Sequence, residues 1–336
     1  MRGRSFAKAA ALCAVGVLMA GGCGGTQEGG TDRLSVVTGV YPLQWLAERV
    51  GGDHVEVENL TEPGAEPHDL ELTPRQIGRV GQADVAFYIS GLQPAVDDAV
   101  AAQGGDNALD VADLVDLRSA EADAETAEHG HGEEGHGHEG GGHSEEGHGD
   151  DGGGHSEGGH GHGELDPHMW LDPVRFAETA QGLADRLAEA DPDHADDYAA
   201  NAESAASLLD DLDTEYSDGL AECESREVVV NHSAFGYLAA RYDLHQISPA
   251  GLGSHSEPSP ARLAEVAATV REHDIGTVFT EPMGDSDAIT TIAAETGAQT
   301  ALLDPIEGIT DRSPGEDYPS IMRANLETLT EALHCS

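Results

Sequence analysis

The 336-residue chain carries a formal net charge of −48, with 64 Asp and Glu against 16 Lys and Arg. That balance excludes a nucleic-acid partner, because phosphate binding is built on Lys and Arg. It keeps the chain soluble and raises the local concentration of cations around it.

The N-terminus reads as a targeting segment. Arg2, Arg4 and Lys8 precede an apolar run over residues 9–20 that is too short to span a bilayer, so residues 1–22 are expected to be a signal peptide. Cys23 follows Ala20-Gly21-Gly22 and resembles the cysteine of a bacterial lipobox, with Ala20 where a leucine is usual. On that reading Cys23 takes the lipid and becomes the mature N-terminus; ordinary secretion with cleavage nearby is the alternative. Residues 23–31 are polar and Gly-rich and suit a flexible tether. Cys13 leaves with the leader, so Cys223 and Cys335 remain to face an oxidising compartment, where they are expected to pair. No later stretch is long and apolar enough to cross a membrane.

Residues 32–193 read as an N-terminal α/β lobe. Strand-like runs at 34–38, 55–59 and 84–89 alternate with helix signals at 42–50 and 74–81, the second capped by Thr73 and opened by Pro74. Such alternation implies βαβ units and a parallel sheet. Within this lobe, residues 120–164 collapse into Gly, His, Glu and Asp, a composition that cannot form a core and is expected to be disordered. Asp172-Pro173 then opens a helix to about residue 190. Residues 194–222 form a longer helical stretch with one apolar and one acidic face, suited to joining two lobes.

Residues 223–336 repeat the alternation, with strands at 228–230, 277–280 and 300–303. Helices are expected at 234–241, 260–273, 287–296 and 315–333. The fold class is therefore α/β: two lobes, each a mostly parallel sheet flanked by helices. Ligands in such sheets sit at loops beyond the carboxyl ends of the strands.

Three histidines occupy such loops: His68 after the strand at 55–59, His168 before the helix at 173, and His232 after the strand at 228–230. Taken singly, each reads as a surface or hydrogen-bonding histidine, and no local spacing matches a zinc finger. Their contexts carry more. Pro67-His68-Asp69-Leu70-Glu71, Asp166-Pro167-His168-Met169-Trp170 and Asn231-His232-Ser233-Ala234-Phe235 resemble the metal-binding signatures of the zinc/manganese solute-binding proteins of ABC transporters. The likeness extends in order over nearly the whole mature chain, including the acidic His-rich insertion.

The resemblance implies two α/β lobes joined by a rigid long helix, one metal in the cleft between them, and delivery of that metal to a membrane importer. It implies His68, His168 and His232 as ligands. Manganese members carry a carboxylate where His232 stands, and imidazole suits Zn²⁺ better than Mn²⁺. Zn²⁺ is therefore the expected cargo, with Mn²⁺ or Fe²⁺ as the alternative. For the fourth ligand, Asp304 or a water is favoured over Glu281, which can instead orient a histidine from behind. The insertion holds nine of the eighteen histidines (His129, His131, His136, His138, His143, His148, His155, His160 and His162) and is expected to be an accessory metal-gathering loop.

His54, His194, His245, His255, His273 and His334 read as surface or structural residues, although His255 lies in a Gly/Ser loop, Gly253-Ser254-His255-Ser256, long enough to reach the cleft. Trp170 and Phe235 read as packing residues. The chain is expected to act as a monomer anchored outside the cell membrane, beside the permease of an ABC importer, and not as an enzyme. An extracellular metal buffer or adhesin, and a hydrolase with three histidines on zinc, are the rival classes. Against the hydrolase, the ligands come from distant loops with no HExxH helix.

Overall fold

The computed structural model describes residues 33–103, 105–119, 165–253 and 258–336. The leader, Cys23, the tether, the His-rich insertion and His255 lie outside the described residues. No described helix is long and apolar enough to cross a membrane.

The chain opens with β1 (Leu34–Thr38), α1 (Tyr41–Gly51), β2 (Val55–Asn59), α2 (Pro74–Val80), β3 (Val85–Tyr88), α3 (Pro94–Gln103) and β4 (Ala108–Asp110). The four strands form one parallel sheet in the order β2-β1-β3-β4. Its strands are apolar on both faces because helices cover both. Val36 of β1 faces the principal core, while its neighbour Val37 faces a second core beneath α2 and α3. Thr73 and Gln76 cap α2 reciprocally, each side chain accepting from the other's backbone N–H.

Two long helices follow, α4 (Pro173–Ala190) and α5 (Ala195–Gly219). Asp172 starts α4 by accepting from the N–H groups of Val174 and Arg175. The 25 residues of α5 span about 37 Å. Its buried residues, Tyr198, Ala202, Ala205, Leu209, Leu212 and Tyr216, recur at three- and four-residue spacing and form a single stripe. Near its start Asn201 donates to Val50 O of α1 (3.0 Å), and near its end the Tyr216 hydroxyl donates to Met322 O (2.7 Å). Truncating Leu209 or Leu212, both fully buried, to alanine costs about 2–5 kcal/mol.

The remaining elements are β5 (Glu227–Val229), α6 (Gly236–Arg241), β6 (His245–Ile247), α7 (Pro260–Glu272), β7 (Thr277–Thr280), α8 (Asp287–Thr296), β8 (Gln299–Leu302) and α9 (Tyr318–Ala332). β5 pairs with β6 and β7 with β8, both parallel. Val228 and Val230 face the principal core while Val229 faces a third core under α7 and α8. The principal core runs without a break from β1 and α1 through α4 and α5 to α6 and α9. Cys223, after α5, is disulfide-bonded to Cys335, after α9. Closing a loop of 112 residues stabilises the fold by about 4–5 kcal/mol in the chain-entropy view.

The sequence reading placed the regular elements to within a few residues but did not foresee α3, β4 or β6. Both strands are three residues long, too short to show a period. The helix expected at 315–333 starts later, at Tyr318, where Asp317 and Ser320 form the cap.

Candidate metal centre

His168 and His232 sit where the chain enters a helical turn, and His68 lies within the loop between β2 and α2. His68 follows β2 in a loop fastened from below by Gln93. The Gln93 amide contacts Gly39 O (2.9 Å), Thr61 Oγ1 (2.9 Å) and Pro67 O (3.1 Å). Any side chain at Gly39 would run into Gln93 Oε1, so glycine is required there for the loop to be tied down. His168 precedes a short turn of helix at Met169–Leu171 leading into α4. His232 follows β5 and stands at the first position before the turn Ser233–Phe235 that leads into α6.

All three Nε2 atoms point at one oxygen. Glu307 Oε1 lies 3.2 Å from His68 Nε2, 3.2 Å from His168 Nε2 and 3.1 Å from His232 Nε2. His68 Nε2 and His168 Nε2 are 3.4 Å apart, and the four donor atoms all lie within 4.8 Å of one another. Four atoms placed tetrahedrally at zinc–nitrogen distances of about 2.0–2.1 Å stand about 3.3 Å apart, close to the 3.1–3.4 Å separations of Glu307 Oε1 from the three Nε2 atoms and of His68 Nε2 from His168 Nε2. His168 and His232 are fully buried and Glu307 is 2% exposed; the His68 side chain, at 11%, is the member nearest solvent.

The other ring nitrogens are held from behind. Asp166 Oδ1 accepts from His168 Nδ1 at 2.7 Å and from its backbone N–H at 2.9 Å. Glu281 accepts from His232 Nδ1 at 2.9–3.0 Å and from its backbone N–H at 3.3 Å. A proton fixed on Nδ1 leaves the Nε2 lone pair for a metal and makes the imidazole a better donor. Burial pushes both imidazoles toward the neutral form, but the neighbouring carboxylates outweigh it. Asp166 and Glu307 hold His168 above its usual range, and Glu281 and Glu307 hold His232 well above it. Burial likewise pushes the Glu307 carboxyl up, yet the charges of His232 and His68 and the hydrogen bonds from His168 and His232 hold it well below the usual carboxylate range.

Of the residues singled out in the sequence, His68, His168 and His232 are brought together, and Glu281 stands behind His232. The group of four donors that the structure brings together includes Glu307, on the same loop as Asp304, and not Asp304 itself. Asp304 is buried facing its own loop, with Oδ1 accepting from Ile306 N at 2.8 Å, and burial pushes its carboxyl up to about 6. Sequence reasoning missed Glu307, although an acid set between Ile306 and Gly308 just beyond a strand is a signal for an inward-facing carboxylate. It also passed over the role of Asp166, two residues before His168. Trp170 and Phe235 are buried, as expected of packing residues. His54 and His194 stack on each other away from the centre.

Residues 36–332 match the family described as zinc-uptake complex component A, periplasmic (ZnuA). The zinc-binding lipoprotein AdcA of Streptococcus pneumoniae (strain R6) is 30% identical over 328 residues, covering 96% of this chain but 59% of that protein. This chain thus spans a little over half the length of that relative. The high-affinity zinc uptake system protein ZnuA of Bacillus subtilis (strain 168) is 32% identical over 324 residues, covering 94% of both chains. In structure, the laminin-binding protein Lmb of Streptococcus agalactiae, described as a bifunctional protein with adhesin and metal-transporting activity, superposes with a TM-score of 0.71. It is 27% identical, with 89% of this chain and 99% of that chain covered.

Proposed function

Because the chain belongs to the ZnuA family of zinc-uptake components, we propose that it is an extracytoplasmic receptor that binds one Zn²⁺ at His68, His168, His232 and Glu307 and delivers it to an ABC-type importer. The observation that carries this reading is the closed donor set: three Nε2 atoms at 3.1–3.2 Å from one buried carboxylate oxygen. Three imidazoles and one oxygen suit zinc, whereas manganese prefers more oxygen. A catalytic zinc keeps its fourth position open for water; here a protein carboxylate points into it. Capture therefore needs no reacting group, only imidazole nitrogens free of protons to donate to the metal.

Around that centre we place the rest of the apparatus. Two lobes, residues 32–193 and 223–336, flank the cleft, with the helix between them as a rigid strut. Cys23 carries the lipid that holds the chain, as a monomer, beside the importer's permease. The nine histidines of the insertion gather zinc weakly and feed the centre. The test is metal analysis and chelator competition on the full chain and on a chain lacking residues 120–164. Both should hold one tight zinc that outcompetes manganese, the full chain holding further weak zinc. Loss of the tight site on deletion, or hydrolytic turnover of a test ester that tracks zinc content, would sink the proposal.

A further inference from the structure

Glu307 is carried by a segment whose backbone is anchored by side chains from distant elements. Residues 304–307 leave β8 and run buried, where unpaired backbone groups are costly. Asn325 of α9 clasps Asp304 at two points: Asp304 N donates to Asn325 Oδ1 (2.9 Å) and Asn325 Nδ2 donates to Asp304 O (2.7 Å). The Trp170 indole N–H donates to Pro305 O at 2.8 Å. Between these anchors Ile306 adopts φ 62°, a left-handed conformation that a β-branched residue rarely takes. Such a conformation persists only where the surroundings over-determine it.

Trp170 holds both sides of the centre. Its ring meets the His168 ring edge-on at 5.3 Å, and its carbonyl accepts from the Tyr318 hydroxyl at 2.5 Å. The indole therefore ties the turn that carries His168 to the segment that carries Glu307. Released from these anchors, Ile306 can relax and the carboxylate can swing away or chelate through both oxygens. Either change admits water or a further oxygen, which favours a higher-coordinate ion over a four-coordinate one.

We propose that Trp170 and Asn325 are positioning residues that lock Glu307 as a single-oxygen fourth donor and thereby set the preference of the centre for Zn²⁺ over Mn²⁺. The proposal rests on the reading of His68, His168, His232 and Glu307 as the zinc ligands. It is tested on the full chain with Trp170→Phe, which keeps a ring against His168 but removes the N–H, and independently with Asn325→Ala. Each is made in the wild-type and in the Glu307→Ala background, with folding followed by thermal melting. Zinc and manganese affinities are measured by chelator competition, and Co²⁺ loading is followed through its d–d absorption, which is intense only in a four-coordinate site.

Each single substitution should weaken zinc by about 10–100-fold, the range for groups that orient a ligand. Manganese should stay within about twofold, the scatter of uncoupled changes, and the Co²⁺ band should weaken. With Glu307 already gone, the same substitutions should change zinc by about twofold or less. Equal losses in both backgrounds, or parallel losses of zinc and manganese, overturn the proposal. A wild-type chain without a tight zinc, or a Glu307→Ala chain with undiminished affinity, overturns the ligand assignment itself, which is a different result.

Discussion

His168 and His194 each sit beside an aspartate, at almost the same distance. His168 Nδ1 is 2.7 Å from Asp166, and His194 Nδ1 is 2.6 Å from Asp191. The surroundings differ. The side chains of His168 and Asp166 are wholly buried, whereas that of His194 is 42% exposed. The free edge of His168 converges with two more imidazoles on Glu307, whereas the ring of His194 stacks at 3.8 Å on His54, itself paired with Asp197. A carboxylate behind a histidine thus orients a ring without making a metal site. Convergence of the opposite nitrogens, in a buried place where each donor is held, makes the difference.

Substituting the converging donors should break the comparison most severely. His232→Ala or Glu307→Ala is expected to weaken zinc by more than ~100-fold, beyond the range of changes behind the ligands. Isothermal or chelator titration checks this, and an unchanged affinity in either variant would contradict it. The next effect separates the two aspartates. Asp166→Asn should cost about 10–100-fold in zinc affinity, while Asp191→Asn should leave it within about twofold. Equal effects would mean that burial and convergence do not distinguish the sites.

The pH dependence follows from the charges at the centre. His168 and His232 are held above their ordinary value near 6.5. In the metal-free protein their contribution to stability is therefore full below about pH 6.5 and is lost as pH rises through the elevated values. Glu307 is depressed, so its contribution is full above the ordinary glutamate value of about 4.3 and is lost as pH falls through the lower one. The metal-free protein should melt at a lower temperature as pH is raised from about 6 toward 8, whereas zinc, which needs the imidazoles unprotonated, should raise the melting temperature by more. A zinc-induced shift independent of pH would contradict the linkage.

The smallest effect belongs to the stacked pair. His54→Ala and His194→Ala are expected to leave zinc affinity within about twofold and to cost no more than about 1 kcal/mol of stability, since both belong to half-exposed surface ion pairs. A larger loss of zinc would make that corner part of the centre.

How far the centre was legible varies residue by residue. His68, His168 and His232 were readable because each stands in a loop inside a recognisable string, and loops beyond strand ends are where such folds place ligands. The carboxylate that converges with them was not. Asp304 and Glu307 lie three residues apart on one loop, on either side of the left-handed turn at Ile306, with Trp170 and Asn325 anchoring the backbone of that loop. Those contacts join residues more than a hundred positions apart in one case, so no local pattern carries them. The alternating strands and the capped helices were legible because Thr73, Asp172 and Ser259 each precede a proline. β4 and β6 were hidden by their brevity; pairing alone defines them.

X-ray absorption at the zinc edge of the loaded chain lacking residues 120–164 tests the centre most directly. The expected shell is four-coordinate, with three imidazole nitrogens and one carboxylate oxygen at about 2.0–2.2 Å, and Glu307→Ala should alter the oxygen and leave the three imidazoles. A shell of five or six oxygen-rich ligands, or one that Glu307→Ala leaves unchanged, would contradict the assignment of His68, His168, His232 and Glu307 as the zinc-binding group.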